Sequence, residues 1–296
     1  MPKNLGGWNS ASGYDDYRSK YDAAMRAVPT PDAVRDIRTE FGLVRTYRFA
    51  GAEGNHHPLV LLPGTSSGTP VWADNLKSLL AITDVYAIDL LGEPGMSVQS
   101  RPITSDADKA AWLDQTLAAL PEKRFNLLGL SIGGWTAMNL AVRHPERIAT
   151  VTTLDAVFVY DGLPLEVVIR SLPATVKWLP RSWRDSFNSY TAGGKPVEHV
   201  PVADMIESGM KNYTIRQPQP HRITEEQLAG LPMPVLAIIA GRSVMHDPAK
   251  ARGTAERALR TKTVAFYPDA SHAVNGEYPD RIASDLRGFL GTYDNS

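Results

Sequence analysis

The chain contains no cysteine. That absence removes disulfides, thiolate nucleophiles and cysteine-rich zinc sites together, and it leaves the redox compartment almost unconstrained. One-sided charge is lacking too: 31 Lys and Arg stand against 32 Asp and Glu, with no run of five like charges. Such a balance offers little to nucleic acid or to an anionic membrane surface, and a small, mainly neutral substrate suits it better. Long apolar runs are missing as well. The opening MPKNLGGWNSASGYDDYRSK has no signal-peptide core, and no later stretch nears the roughly 18 apolar residues of a membrane span. The expectation is a cytoplasmic protein with no nucleic-acid partner and no stable membrane insertion. Oligomeric state is not legible.

What is present is ample core material: 296 residues, 43% of them hydrophobic, enough for one large domain or two ordinary ones. Residues 14–28 carry Tyr14, Tyr17, Tyr21, Ala24, Met25 and Val28 at three-and-four spacing, which predicts an amphipathic helix stopped by Pro29 and Pro31. LVRTYRF (43–49) alternates like a half-buried strand. PLVLLPG (58–64), VYAIDLLG (85–92), FNLLGLS (125–131), IATVTTLD (148–155), PVLAIIAG (234–241) and KTVAFYPD (262–269) are continuous apolar runs suited to strands covered on both faces. Helical patterns near 72–81, 106–120, 132–144, 248–260 and 278–291 separate most of them. That alternation predicts an α/β fold with a mostly parallel, doubly wound sheet. The interval from Ala156 to Leu231 breaks the rhythm: it has scattered prolines, short helical fragments (LPLEVVIRSL, VADMIESGM) and no convincing strand. A structureless loop of that length is improbable. Residues 156–231 are therefore read as a helical cap inserted into a core domain of residues 1–155 and 232–296, lying over the carboxyl edge of the sheet where open α/β folds bind ligands.

Gly129-Leu130-Ser131-Ile132-Gly133 is a G-x-S-x-G pattern. By composition it would arise in about one chain in ten of this length, with Gly near ~7%. Its context is more telling, since it closes a buried strand and opens a helix, as a strained nucleophile elbow does. The reading without chemistry is a Gly-rich strand–helix joint with an idle serine. A serine that attacks a carbonyl needs donors for the resulting oxyanion. One is expected from the N–H of Ile132; the other from LLPGTSSG (61–68), with Thr65 ahead of Ser66 as its source. PGTSSG lacks the Gly-Lys-Ser/Thr ending of a phosphate loop, and His, Asp and Glu are too scattered for a metal ligand set, so no metal or cofactor is expected.

From about Tyr14 to Leu290 the sequence resembles the α/β-hydrolase superfamily, and within it the capped bacterial carboxylesterases. The resemblance rests on the tyrosine-rich leading helix, DLLGEPGMS (89–97), GLSIGG, RHPERI, PQP followed by an acidic helix before PVLAII, and SHAVNGEYPDRI. Where many members have His-Gly, this chain has Pro63-Gly64. The resemblance implies a Ser–acid–His triad and assigns the base to His272, which follows the last strand in DASHAVNGEYP. His56 and His57 precede a strand, His144 ends a helix, His199 and His221 fall in the cap, and His246 lies in a turn.

The acid is the harder member. It must be a buried carboxylate reaching the histidine Nδ1, and the family commonly keeps it in a Gly-Glu-x-Asp/Glu turn. Here that turn reads Ala240-Gly241-Arg242-Ser243. Asp247, four residues on, precedes Pro248 as a helix N-cap would. Asp155 ends the strand after the elbow helix, 24 residues beyond Ser131 (155 − 131), where lipases and haloalkane dehalogenases carry their acid. An aspartate closing so apolar a run is costly to bury alone. Asp155 is preferred, with Asp247 as the alternative.

The expected activity is hydrolysis of a carboxylic ester, lactone or thioester of a small, mainly apolar substrate through an acyl-enzyme. Carbon–carbon bond hydrolysis of a ring-cleavage product under the same triad is one alternative, with hydroxynitrile cleavage more distant; a catalytically silent ligand-binding protein on the same fold is another. Trp178, Trp183, Phe187, Tyr190 and Tyr213 form either the cap's own small core, the preferred reading, or an aromatic pocket lining.

Overall fold

Runs such as LVLL, VYAI and VLAIIA are buried at every position, which a strand achieves only inside a sheet covered on both faces. A computed structural model describes residues 4–52, 56–167, 181–191, 193–194 and 200–294. In chain order its strands are β1 (Gly7–Trp8), β2 (Ala33–Thr39), β3 (Gly42–Phe49), β4 (Leu59–Leu62), β5 (Val85–Ile88), β6 (Val98–Gln99), β7 (Phe125–Leu130), β8 (Ile148–Leu154), β9 (Tyr213–Thr214), β10 (Val235–Ala240) and β11 (Lys262–Tyr267). Nine of them form one sheet in the order β11-β10-β8-β7-β4-β5-β3-β2, with β6 paired to β3. The pairings from β11 across to β5 are parallel, and those that β3 makes with β5, β2 and β6 are antiparallel.

The helices are α1 (Ala11–Met25), α2 (Ala73–Leu80), α3 (Asp106–Ala118), α4 (Ile132–Arg143), α5 (Arg181–Thr191), α6 (Pro201–Asn212), α7 (Glu225–Ala229), α8 (Pro248–Ala258), α9 (Val274–Glu277) and α10 (Pro279–Tyr293). Their starts are marked by local chemistry. Ser105 caps α3 in a reciprocal capping box with Asp108, and the Ser10 hydroxyl caps α1 through Gly13 N–H. Two apolar cores result, one on each face of the sheet. One holds Trp112, Trp135 and Leu127; the other holds Tyr17, Tyr21, Trp72 and Leu128.

The sequence did not reveal β2. Its only buried residue is Ile37, and four of its seven residues are exposed, so an edge strand carrying charge leaves no apolar pattern to read. The run read as 85–92 ends its strand at Ile88, because Asp89 turns inward. Its carboxylate accepts Thr69 N–H, Thr69 Oγ1–H, Tyr21 O–H and Met96 N–H at 2.8–2.9 Å. The tyrosine-rich helix and the DLLGEPGMS motif are thereby one hydrogen-bonded unit.

Within the interval 156–231 the described residues include α5, α6, α7 and the two-residue strand β9. That strand pairs antiparallel with β1, and α1 packs along α6, where Asp16 accepts the Ser208 hydroxyl at 2.5 Å. The leading segment of the chain is thus stitched to this interval. Trp178, His199 and the side chains of Trp183 and Phe187 lie outside the described residues, as does much of the 163–172 fragment. Among the described residues no helix is long and apolar enough to cross a membrane.

Candidate functional site

Strand β7 ends at Leu130 and helix α4 begins at Ile132, so Ser131 alone makes the turn between them. Its φ of 54° and ψ of −116° are strained for an L-residue. The turn closes because its neighbours lack side chains. A Cβ on Gly129 would sit 2.2 Å from Gly133 O, and one on Gly133 would sit 2.0 Å from Leu62 O. The G-x-S-x-G spacing is a packing requirement of this joint.

His272 stands in the loop after β11. Its Nε2 lies 2.9 Å from Ser131 Oγ and its Nδ1 lies 2.6 Å from Asp155 Oδ2. Asp155, the first residue past β8, is fully buried with φ 45°. Its backbone N–H donates to Ile238 O at 2.9 Å, while Ser131 N–H donates to Leu154 O at 2.9 Å. The ends of β7, β8 and β10 are therefore fixed relative to each other by main-chain bonds before any side chain acts.

The carboxylate of Asp155 is fully engaged. Oδ2 takes His272 Nδ1 and the Ser243 hydroxyl, each at 2.6 Å; Oδ1 takes Ala240 N–H at 3.1 Å and His246 Nε2 at 2.8 Å. Four donors meet the four lone-pair directions of an ionised carboxylate. Burial by itself favours the neutral acid, but the charges and hydrogen bonds of His246 and His272 outweigh it and hold Asp155 well below the usual carboxylate range. With Asp155 ionised, His272 carries its proton on Nδ1 and presents a bare Nε2 to the hydroxyl of Ser131.

Ser243 and His272 reach this carboxylate from two loops that are themselves joined. Gly241 N–H donates to Tyr267 O at 2.8 Å and Arg242 N–H to Ala270 O at 2.9 Å. Asp247, the alternative acid, caps α8 by accepting Ala249 N–H at 2.9 Å and Lys250 N–H at 3.0 Å. It makes no hydrogen bond to His272 among the described residues.

A cavity of about 290 Å³ opens at Ser131 and is lined also by Thr65 and Ile132. Ile132 begins α4, where N–H groups have no intrahelical acceptor. Ser66 N–H is occupied by Glu93 Oε2 at 3.1 Å, which leaves Thr65, not Ser66, with a main-chain donor to offer. The cavity is largely apolar, and its aromatic walls are Trp112, Trp135 and Phe158. Tyr213 instead packs edge-on against Trp8 at 4.9 Å. Two buried ionisable groups face the cavity. Burial pushes Glu93 up to about 7, against the Ser66 N–H and the charge of Lys109. Burial likewise lowers Lys109, whose ammonium donates to Pro218 O at 2.6 Å and lies over the Trp135 ring.

The remaining described histidines are engaged elsewhere. His56 and His57 contact Asp294, His221 contacts Asp106, and His144 ends α4. No group of three or more acidic, His or Cys side chains that could hold a metal occurs among the described residues.

An alpha/beta hydrolase fold family model matches residues 57–193. The sequence is 23% identical to the "uncharacterized carboxylesterase nap" of Bacillus subtilis strain 168, over 93% of this chain and 92% of that protein. The crystal structure of naproxen esterase (carboxylesterase NP) from Bacillus subtilis superposes with a TM-score of 0.86 at 21% identity, covering 95% of this chain and 99% of that one. With the 2-hydroxymuconate semialdehyde hydrolase of Pseudomonas sp. strain CF600 the identity is 30%, over 83% of this chain and 93% of that protein. The chain belongs to the α/β-hydrolase fold family.

In this α/β hydrolase the cavity lies at the carboxyl ends of the parallel strands, the usual ligand position of open α/β sheets. Three side chains had no role in the sequence reading: Ser243 and His246, which contact Asp155, and Glu93, which lines the cavity. Ser243 drew notice only as a missing carboxylate, although a hydroxyl in that turn can serve a carboxylate on the neighbouring strand. His246 reads in sequence as one polar residue of a turn, and Glu93 as part of a Gly-rich bend. Only the pairing of β8 beside β10 brings the first two onto Asp155.

Proposed function

We propose that this α/β hydrolase is a serine carboxylesterase that works through an acyl-enzyme. One observation carries the reading: a strained serine hydrogen-bonded at 2.9 Å to an imidazole whose other nitrogen is held at 2.6 Å by a buried carboxylate. Ser131 Oγ attacks the ester carbonyl as His272 Nε2 takes its proton, and Asp155 stabilises the imidazolium that forms. The carbonyl oxygen, now anionic, is received by the N–H groups of Ile132 and Thr65. Collapse of the tetrahedral intermediate expels the alcohol, which takes the proton from His272. Water then repeats the sequence on the acyl-enzyme, releasing the carboxylic acid and restoring Ser131. The carboxylesterase names of the relatives over nearly their whole length support the same reading.

The substrate is a small molecule with an apolar body. Residues 156–231 act as a cap, a role supported by Phe158, Leu163, Ile215 and Pro220, which line the cavity. A fluorophosphonate should label Ser131 and extinguish hydrolysis of p-nitrophenyl esters, and Ser131→Ala should abolish both. An unlabelled wild-type protein would sink the proposal and leave the silent-binder alternative.

Carbon–carbon hydrolysis is the second reading, favoured by the 30% identity to the 2-hydroxymuconate semialdehyde hydrolase. Turnover of a ring-cleavage dienoate faster than of any ester in a chain-length series would select it.

A further inference from the structure

Asp155 is bonded by two imidazoles, one on each carboxylate oxygen, and only His272 has a part in the proposed reaction. The second, His246, is 3% exposed, and its Nε2 lies 2.8 Å from Asp155 Oδ1. Its Nδ1 is buried beside the Asp247 main chain. An imidazole is costlier to bury than an apolar side chain of similar volume, and the side chain that holds this one is Asp155.

We propose that His246 is a positioning residue of the site: it holds Asp155 by the oxygen that His272 leaves free and shares the negative charge on which His272 draws when it takes the proton of Ser131. The proposal rests on the serine-hydrolase reading of Ser131 and His272.

Two effects follow from the geometry. The first is orientation. Oδ2 is held by the Ser243 hydroxyl, and Oδ1 by Ala240 N–H and His246, so the carboxylate cannot rotate about its own axis without losing bonds on both oxygens. The second is charge. The groups around His246 are Asp155 beyond β8, Asp161 further along the same stretch, the main chain of Asp247 in its own turn, Lys250 on α8 and His272 across the carboxylate. Lys250 is paired with Asp161 at 2.7 Å, which leaves Asp155 as the dominant anion. Burial opposes a charge on His246, yet Asp155, with smaller help from the Asp247 backbone and Asp161, raises its pKa above the ordinary imidazole value. A protonated His246 makes the carboxylate less available to a second cation. The pH profile of the reaction should therefore register the removal of His246.

His246→Gln retains an N–H at the position of Nε2 but cannot be charged, whereas His246→Leu retains neither. The acid limb of kcat/KM against pH should move up by about one pH unit in both variants, the size of effect expected for a charge this close. kcat at its plateau should fall about tenfold in His246→Leu and be largely restored in His246→Gln. An unmoved acid limb in the folded Gln variant would overturn the proposal. Should the variants not fold, ring-nitrogen NMR of the wild-type protein decides it. His246 should titrate above the ordinary imidazole value and lower in Asp155→Asn; a His246 that titrates at or below the ordinary value in the wild type overturns the proposal. Fluorophosphonate labelling of the wild type separates the two levels. No labelling removes the hydrolase reading and this proposal with it, while labelling with an unmoved acid limb removes this proposal alone.

Discussion

The hydroxyl of Ser243 donates to Asp155 Oδ2 across 2.6 Å, onto the oxygen that also receives Nδ1 of His272. The turn after β10 thus contributes to the site as a donor to a carboxylate supplied by β8. Ser243 in turn accepts Met245 N–H at 3.2 Å, so its proton is directed at the acid.

Asp155→Asn keeps the shape of this arrangement but removes the charge and forces one donor to face another. Turnover is expected to fall a hundredfold or more, at least about 2.7 kcal/mol of barrier. Asp247→Asn should change it little, since asparagine caps a helix about as well as aspartate. Steady-state kinetics on a p-nitrophenyl ester compares the two, and the reverse ranking would assign the acid to Asp247.

Ser243→Ala should lower kcat by up to about tenfold with little change in KM, the scale of one hydrogen bond to a charged acceptor. Ser243→Asp should impair the otherwise intact enzyme, because two carboxylates in that contact cannot both ionise. In an Asp155→Asn background the same change should restore part of the lost kcat. A doubly substituted enzyme no faster than Asp155→Asn would show that the turn cannot carry the acid.

Glu93 gives a stability signature. Its carboxyl is raised from 4.5 to about 7 in the folded protein, so between those values the folded state binds more protons than the unfolded one. Stability should therefore fall as pH rises from about 4.5 to 7 and level off above, by on the order of 3 kcal/mol for this group alone. Glu93→Gln, which can still accept the Ser66 N–H, should remove that slope. Urea denaturation of both proteins at pH 5 and pH 7.5 measures it, and equal pH dependence in the two would contradict the expectation.

Widening the cavity from the side of residues 156–231 should alter which esters are taken more than how they are cleaved. Phe158→Ala and Ile215→Ala are expected to shift the kcat/KM optimum towards longer acyl chains while acetate hydrolysis changes only a few-fold. Equal losses across the chain-length series would indicate damage to the site and not to its wall.

The central strands and the helices that flank them were legible because each presents one uninterrupted apolar signal. The serine was legible because its glycines are obligatory where backbone meets backbone, as at Gly133 against Leu62. His272 came from resemblance, and Asp155 from the acid position of lipases and haloalkane dehalogenases together with the cost of burying a charge at the end of an apolar run. The edge strand β2 and the short strands β1, β6 and β9 were not legible, since two residues or a charged edge carry no periodicity. Nor was the part of His246. Its distance from Asp155 along the chain is 91 residues, and only the order of strands in the sheet turns that separation into contact.

The antiparallel pair of Gly7–Trp8 with Tyr213–Thr214, together with α1 lying along α6, bears on how such enzymes can be recombined. The proposed cap is not a cassette bounded by two cut points near 156 and 231. It has a third attachment, made by residues 7–25. A chimera that exchanges this segment between relatives must carry the matching leading helix with it, or both elements arrive without the surface against which each was shaped.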